Sequence, residues 1–155
     1  MMPRTRVVTS ARSDNLRVVR RLMEEVWGIG DLSLLPELVA NDYVGHLPIG
    51  DHYGPVGARI DIESYRRALP DLVVIVDDLF AAGDKVVRRF TLRGTHREAF
   101  LSIPASGQRI VLRGIAVDDL AAGKLMESWV QIDSMMKRPT TPLEADRGAC
   151  PLSNR

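Results

Sequence analysis

Asp84-Lys-Val-Val-Arg-Arg-Phe-Thr-Leu-Arg-Gly-Thr-His96 alternates with a period of two. Val86, Phe90, Leu92, Gly94 and His96 share one parity, and Arg89, Thr91, Arg93 and Thr95 the other. That pattern predicts a strand with one buried face. Arg109 to Asp119 repeats it, with Ile110, Leu112, Gly114 and Ala116 on one side and Val111, Arg113, Ile115 and Val117 on the other. Between them, Leu101-Ser-Ile-Pro-Ala-Ser-Gly-Gln108 has the Pro, Ser and Gly of a broad hairpin loop. Ala121-Ala-Gly-Lys124 then turns the chain into a third strand, Leu125 to Asp133. Strands this long form an antiparallel sheet that curls, and a curled sheet needs a cover for its concave face.

The chain before Gly83 supplies that cover. Ser13 or Asp14 is expected to cap a helix in which Leu16, Val19, Leu22, Met23, Val26 and Trp27 recur at helical spacing. Gly28 and Gly30 end it. This Gly-x-Gly follows a helix, where a dinucleotide fingerprint would follow a strand and open a helix. Asp31 to Ala40 reads as a second helix capped by Ser33, and Asn41 to His46 as a short extended piece. A Pro/Gly loop, Leu47 to Pro55, leads into a third helix ending at Leu69. A Val/Ile-rich strand over Leu72 to Phe80 completes the order. Helices first and antiparallel strands after them predict an α+β fold with helices on one face of the sheet.

The expected organisation is a flexible tail over residues 1–13, a single domain over 14–135 and a second flexible tail over 136–155. The chain has 155 residues, 45% hydrophobic and 26% charged, enough for one core without metal or disulfide support. A net charge of +1 with no basic stripe argues against nucleic acid as a partner. Cys150 is the single cysteine, which excludes an intrachain disulfide and a cysteine-based zinc site. No run approaches the roughly 18 apolar residues of a membrane span. The first thirteen residues lack the apolar core of a signal peptide, so a cytoplasmic location is expected.

Several pieces together resemble the SnoaL-like polyketide cyclase family, within the nuclear-transport-factor-like and ketosteroid-isomerase-like superfamily. They are Glu24-Glu-Val-Trp27 with Gly30-Asp-Leu32, Asp42-Tyr-Val-Gly-His46, Gly54-Pro-Val-Gly57 and Leu69-Pro-Asp-Leu72. The others are Leu92-Arg-Gly-Thr-His96, Phe100 to Gly107, and Gly123-Lys-Leu-Met-Glu-Ser-Trp129 through Asp133. The resemblance covers roughly residues 15 to 135. It implies a cone-shaped α+β barrel, a deep apolar pocket between sheet and helices, and a homodimer joined through the sheet. It also implies cofactor-independent chemistry on a polyketide or terpenoid-like molecule: cyclisation, isomerisation or epoxide opening. In the family's aromatic polyketide cyclases the acid–base aspartate falls at Val130, a histidine at Ala116 and a pocket asparagine at Asp61. Two of those three do not match, and Asp133 belongs instead to a Trp-x-x-x-Asp ending found in other relatives.

Three ionisable residues are therefore the expected catalytic group. His96 lies on the apolar parity of its strand, His46 at the rim of the expected pocket, and Asp133 at the end of an apolar strand. A carboxyl in apolar surroundings becomes an acid or base near neutral pH, and a histidine is one already. Each also has a structural reading: His96 as a loop tether, His46 in local hydrogen bonds, Asp133 as a strand-end ion pair. Tyr43, Asp61, Tyr65, Trp27, Trp129 and Met126 are the expected substrate-contacting residues, with Asp61 and Tyr65 one turn apart on the third helix. His46, Asp51 and His52 lie in a loop without a recognised ligand spacing, so neither metal nor cofactor is expected. A non-catalytic binding domain of the same fold is the alternative function.

Overall fold

A computed structural model describes the backbone of residues 5–133 and the side chains of residues 11–133. The tail expected over 136–155 lies outside the described residues, as do residues 1–4 of the N-terminal one. Helix α1 (Thr5–Arg21) begins ahead of the cap expected at Ser13 or Asp14. No Gly or Pro stands between Thr5 and Asn15 to stop a helix there.

The same helix continues as a π-helical stretch over Leu22–Ile29. Val19, Leu22, Met23 and Val26, four of the six residues of the expected stripe, are buried. Gly30 ends it at φ +91°, a conformation that favours glycine. Its last carbonyls do not go unpaired. Arg66 reaches across from helix α3 (Gly54–Ala68) and donates from Nη1 to Trp27 O at 2.8 Å and to Gly28 O at 3.0 Å.

After a 3-10 turn (Leu32–Leu34) comes a single α-helical turn, α2 (Leu35–Leu38). The expected second helix is therefore shorter and stops before Val39. Asp31, rather than Ser33, supplies the cap, its carboxylate accepting from Ser33 N. The six strands are β1 (Val39–Leu47), β2 (Gly50–Tyr53), β3 (Val73–Ala82), β4 (Lys85–Thr95), β5 (Arg109–Ala121) and β6 (Lys124–Ile132).

They form one sheet in the order β2-β1-β6-β5-β4-β3. β1 runs parallel to β6, and every other pairing is antiparallel. β2 falls where the sequence reads as loop. Pairing Leu47 with Gly50 and Val44 with Tyr53 leaves only Pro48 and Ile49 between the strands, a two-residue hairpin. With β2 and β3 at its free edges the sheet is curled but not closed, the cone-like α+β architecture.

Alternation holds along β4, where Val86, Arg88, Phe90, Leu92 and Gly94 are all buried. On β6 it is interrupted. Leu125 and Ser128 both face inward, and the β5–β6 register shifts between Asp119 and Leu120. An irregularity of this kind moves every later side chain to the opposite face. Ser128 and Val130 are consequently buried while Trp129 faces outward.

Candidate active site

Two apolar clusters fill the concave side of the sheet. One joins Val19, Leu22 and Val26 to Leu35, Leu38, Val39 and Leu125, and the other joins Met23 and Tyr65 to Phe90, Leu92, Leu112 and Val130. A cavity of about 40 Å³ lies where they meet, lined by apolar side chains from both together with Tyr43, Asp61 and Arg88. An apolar cleft with a few convergent polar groups is the usual form of a small-molecule site.

Arg88 and Asp118 occupy inward parity positions on neighbouring strands, β4 and β5. Register pairs Arg88 with Ala116 and Val86 with Asp118, so the two charges are diagonal neighbours. Arg88 Nε faces Asp118 Oδ2 at 2.8 Å and Nη2 donates to Oδ1 at 3.2 Å, a two-pronged ion pair. Arg88 is 5% exposed and Asp118 fully buried. Ser128, also fully buried, donates from Oγ to Asp118 Oδ1 at 2.6 Å. Tyr43 in turn is hydrogen-bonded to Ser128. Gly45 makes that reach possible: it sits opposite Ser128 in register, and a Cβ there would come within 2.5 Å of the Tyr43 hydroxyl. A continuous chain, Tyr43–Ser128–Asp118–Arg88, thus runs under the cavity. Burial raises the Tyr43 phenol above its ordinary value, so it stays protonated at neutral pH.

The helix side supplies the other polar wall. Asp61 on α3 is buried, lines the cavity, and is in contact with His52 Nδ1 of β2 through Oδ1. Burial raises its carboxyl pKa, partly offset by His52. Asp61 and His52 also line a wider and more polar groove of about 400 Å³, formed with Ser64, Arg67 and Phe100 among others. The pair stands between the inner cavity and this outer groove. Tyr65 packs on Trp27 at 5.4 Å and on Phe100 at 4.5 Å, and burial takes its phenol to about 12.

The three residues expected to form the catalytic group do not converge. His46 lies on the outer face of the sheet, stacked on Trp129 at 3.9 Å. Its ring nitrogens are 2.8 Å from Asp51 and 2.9 Å from Glu127, and these two carboxylates raise its pKa. His96 is buried beyond the end of β4, where Nδ1 accepts from Ser106 N at 3.3 Å. It tethers the β4–β5 loop and is absent from the cavity lining. Asp133, just past the end of β6, is exposed and lines an outer groove with Arg89 and Arg113. The parity of β6 places Asp133 and Trp129 together on the outer side, so a carboxyl in apolar surroundings is not realised there.

Of the expected substrate-contacting residues, Tyr43, Asp61 and Trp27 line the cavity, and Tyr65 packs behind it. Trp129 is 56% exposed as a consequence of the register change in β6, and Met126, next to inward-facing Leu125, does not line the cavity. Sequence reading missed Arg88, Asp118, Ser128 and His52. The first two carried a signal: each is a charged residue on an otherwise apolar parity of a long strand. Val130 and Ala116 are register partners on the inner face, so the two positions that hold aspartate and histidine in the aromatic polyketide cyclases face each other here as apolar wall.

None of the curated proteins matches the chain in sequence. Solved structures do resemble it. A SnoaL-like protein from Jannaschia sp. CCS1 is 24% identical, with a TM-score of 0.73 over 86% of this chain and 92% of its own, which speaks for the fold. TsrD from Streptomyces laurentii is 27% identical, with a TM-score of 0.71 over 79% of this chain and 90% of its own. IdmH from Streptomyces antibioticus is 28% identical, with a TM-score of 0.67 over 77% and 91%. The sequence profile of the SnoaL-like polyketide cyclases matches residues 17–138, nearly the whole of the domain just described. By that match, and by a curled, open sheet with an apolar cavity on its concave side, the chain belongs to the SnoaL-like polyketide cyclase family.

Proposed function

We propose that this protein is a cofactor-independent acid–base enzyme acting on an apolar, oxygenated small molecule of the polyketide or terpenoid kind. The observation that carries the reading is Asp61: a buried carboxyl on the wall of an apolar cavity, its pKa raised by burial and its Oδ1 against a histidine that meets the outer groove. A carboxylate of raised pKa is a stronger base than an ordinary one and can abstract a proton from carbon next to a carbonyl. The C–H bond breaks, its electron pair moves onto the carbonyl oxygen, and the proton resides on Asp61. Returning that proton at another carbon completes an isomerisation. Attack of the carbanion on a second carbonyl of the same molecule, with the proton delivered to the new alkoxide, completes a cyclisation. The same carboxyl in its protonated form can open an epoxide: it protonates the leaving oxygen as the C–O bond breaks, while a substrate hydroxyl or a water attacks that carbon and gives its own proton to His52. His52 exchanges protons between Asp61 and the outer groove, and Tyr43, whose own proton is turned to Ser128, accepts a hydrogen bond from a substrate hydroxyl.

The test is solvent-deuterium exchange at the α-carbon of a panel of enolisable cyclic ketones, followed by NMR. Exchange above background that falls about 10²–10⁴-fold in Asp61→Asn supports the reading. Exchange that survives the substitution unchanged removes it. One observation favours a second reading, a binding domain without catalysis: Val130 and Ala116 put apolar wall at two positions that carry acid–base groups in the aromatic polyketide cyclases. A ligand recovered unaltered after long incubation supports that alternative.

The resemblance further suggests a homodimer through the sheet. In support, Val111, Ile115 and Trp129 are exposed on its outer face, the side away from the helices.

A further inference from the structure

Arg88 carries a donor that the ion pair does not use. Nη2 donates to Asp118 Oδ1 and Nε stands 2.8 Å from Oδ2 in the ion pair, while Nη1 is directed at the Met23 thioether, inside the cavity. A thioether is among the weakest acceptors a protein offers, and a guanidinium N–H ordinarily meets a carboxylate, a carbonyl or water. The cost of leaving a buried cationic donor so poorly matched is large enough that such arrangements call for a reason. Here the donor sits on a residue 5% exposed and fixed from behind by two contacts to a fully buried carboxylate. Aim and charge are both preset, as a site for developing negative charge requires.

The groups around it narrow the chemistry. Asp118 neutralises the guanidinium from behind, Tyr43 stands beside it, and Asp61 lines the same cavity from α3. The cavity is thus polar at two places, an acid–base carboxyl on the helix side and a cationic donor on the sheet side, with apolar wall between. We infer that Arg88 Nη1 is the oxyanion-holding group of the site, replacing its contact to Met23 with one to a carbonyl oxygen that becomes negatively charged. The substrate class is then a planar enolisable carbonyl compound, whose acidic C–H faces Asp61 and whose oxygen faces Arg88, rather than an epoxide. This rests on the reaction proposed above, since it assumes that Asp61 removes the proton.

Phenolates are stable mimics of enolates, and 4-nitrophenol reports its own ionisation by its absorption. The experiment compares 4-nitrophenol with 4-nitroanisole on the full chain, by spectrophotometric titration and calorimetry. The expected result is that the phenolate binds at least about tenfold more tightly than the anisole. The bound phenol also ionises at lower pH than the free one, and Arg88→Gln abolishes both effects while anisole binding persists. Should Arg88→Gln fail to fold because Asp118 loses its partner, the double variant Arg88→Gln/Asp118→Asn takes its place. Equal binding of phenolate and anisole by the wild type overturns the inference, as does a phenolate preference that survives loss of the guanidinium. Its failure is separable from failure of the acid–base reading. Phenolate preference without Asp61-dependent exchange leaves Arg88 as a binding group only, and Asp61-dependent exchange without the preference leaves the base and removes the oxyanion role.

Discussion

Asp61 is held in a state that the fold disfavours. Its raised pKa means that the folded protein binds the carboxyl proton more tightly than the unfolded chain does. As pH rises from the ordinary carboxylate value of about 3.9 through the folded value, the folded state therefore loses stability relative to the unfolded one. Asp61→Asn abolishes that loss. Its melting temperature should exceed the wild type's at neutral pH, with a difference that shrinks toward zero as pH is lowered below about 4. Calorimetric scans across that range check it, and a variant less stable than wild type at pH 7 would contradict the assignment. The Arg88–Asp118 pair behaves differently, because each charge compensates the other. Asp118→Ala alone strands a buried guanidinium and should cost about 3–5 kcal/mol, whereas Arg88→Met/Asp118→Leu should recover most of it. Urea denaturation of Asp118→Ala, and of Arg88→Met, Asp118→Leu and the double variant as a closed cycle, measures both costs.

Among the elements that shape the cavity are the π-helical stretch Leu22–Ile29 and strand β6. Met23 and Trp27 come from the former, Leu125, Val130 and Ile132 from the latter. The π-helical end is held by Arg66, which also donates from Nη2 to Ile29 O. Arg66→Ala removes the cationic partner of three carbonyls at a helix C-terminus. The expected cost is about 1–3 kcal/mol, with a change in Trp27 fluorescence as the helix end loosens. Fluorescence-monitored unfolding in a Trp129→Phe background, where Trp27 is the single tryptophan, measures both. Existence and order of most elements were legible from periodicity, since long alternating strands and a six-residue apolar stripe leave little choice. The short β2 hairpin and the π-helical widening were not. Neither has a hydrophobic period long enough to read, and both depend on partners elsewhere in the chain.

At the scale of the whole molecule, the two faces of the sheet do different work. The concave face holds the cavity. The outer face carries exposed Trp129, Ile115 and Val111, with His46 bracketed by Asp51 and Glu127. If copies pair through that face, Trp129→Glu puts a charge into the interface and should shift the protein from dimer to monomer while leaving its circular dichroism unchanged. Light scattering coupled to size exclusion reads the outcome, and a wild type that is already monomeric at micromolar concentration sinks the proposal. The cavity predicts a second whole-molecule property. At about 40 Å³ it is smaller than any polycyclic substrate, so ligand entry must move the helix side of the cavity or the Asp61–His52 partition.

Sequence alone determined the α+β class, the helical cover, the long strands and the family, because each is written in local periodicity and in motifs that survive without knowledge of the fold. It also placed Tyr43, Asp61 and Trp27 among the candidate residues. The tertiary structure alone decided which polar groups meet. A single irregularity in the β5–β6 pairing moved Trp129 and Asp133 to the outer face and brought Ser128 under the cavity. Parity along one strand says that two residues share a face, but not which face closes over a pocket or which strand lies alongside. Arg88 and Asp118 were visible as charges on apolar parities, yet only the register of β4 on β5 made them a pair. His52 and Asp61, nine residues apart on a strand and a helix, became partners only when α3 folded back over β2.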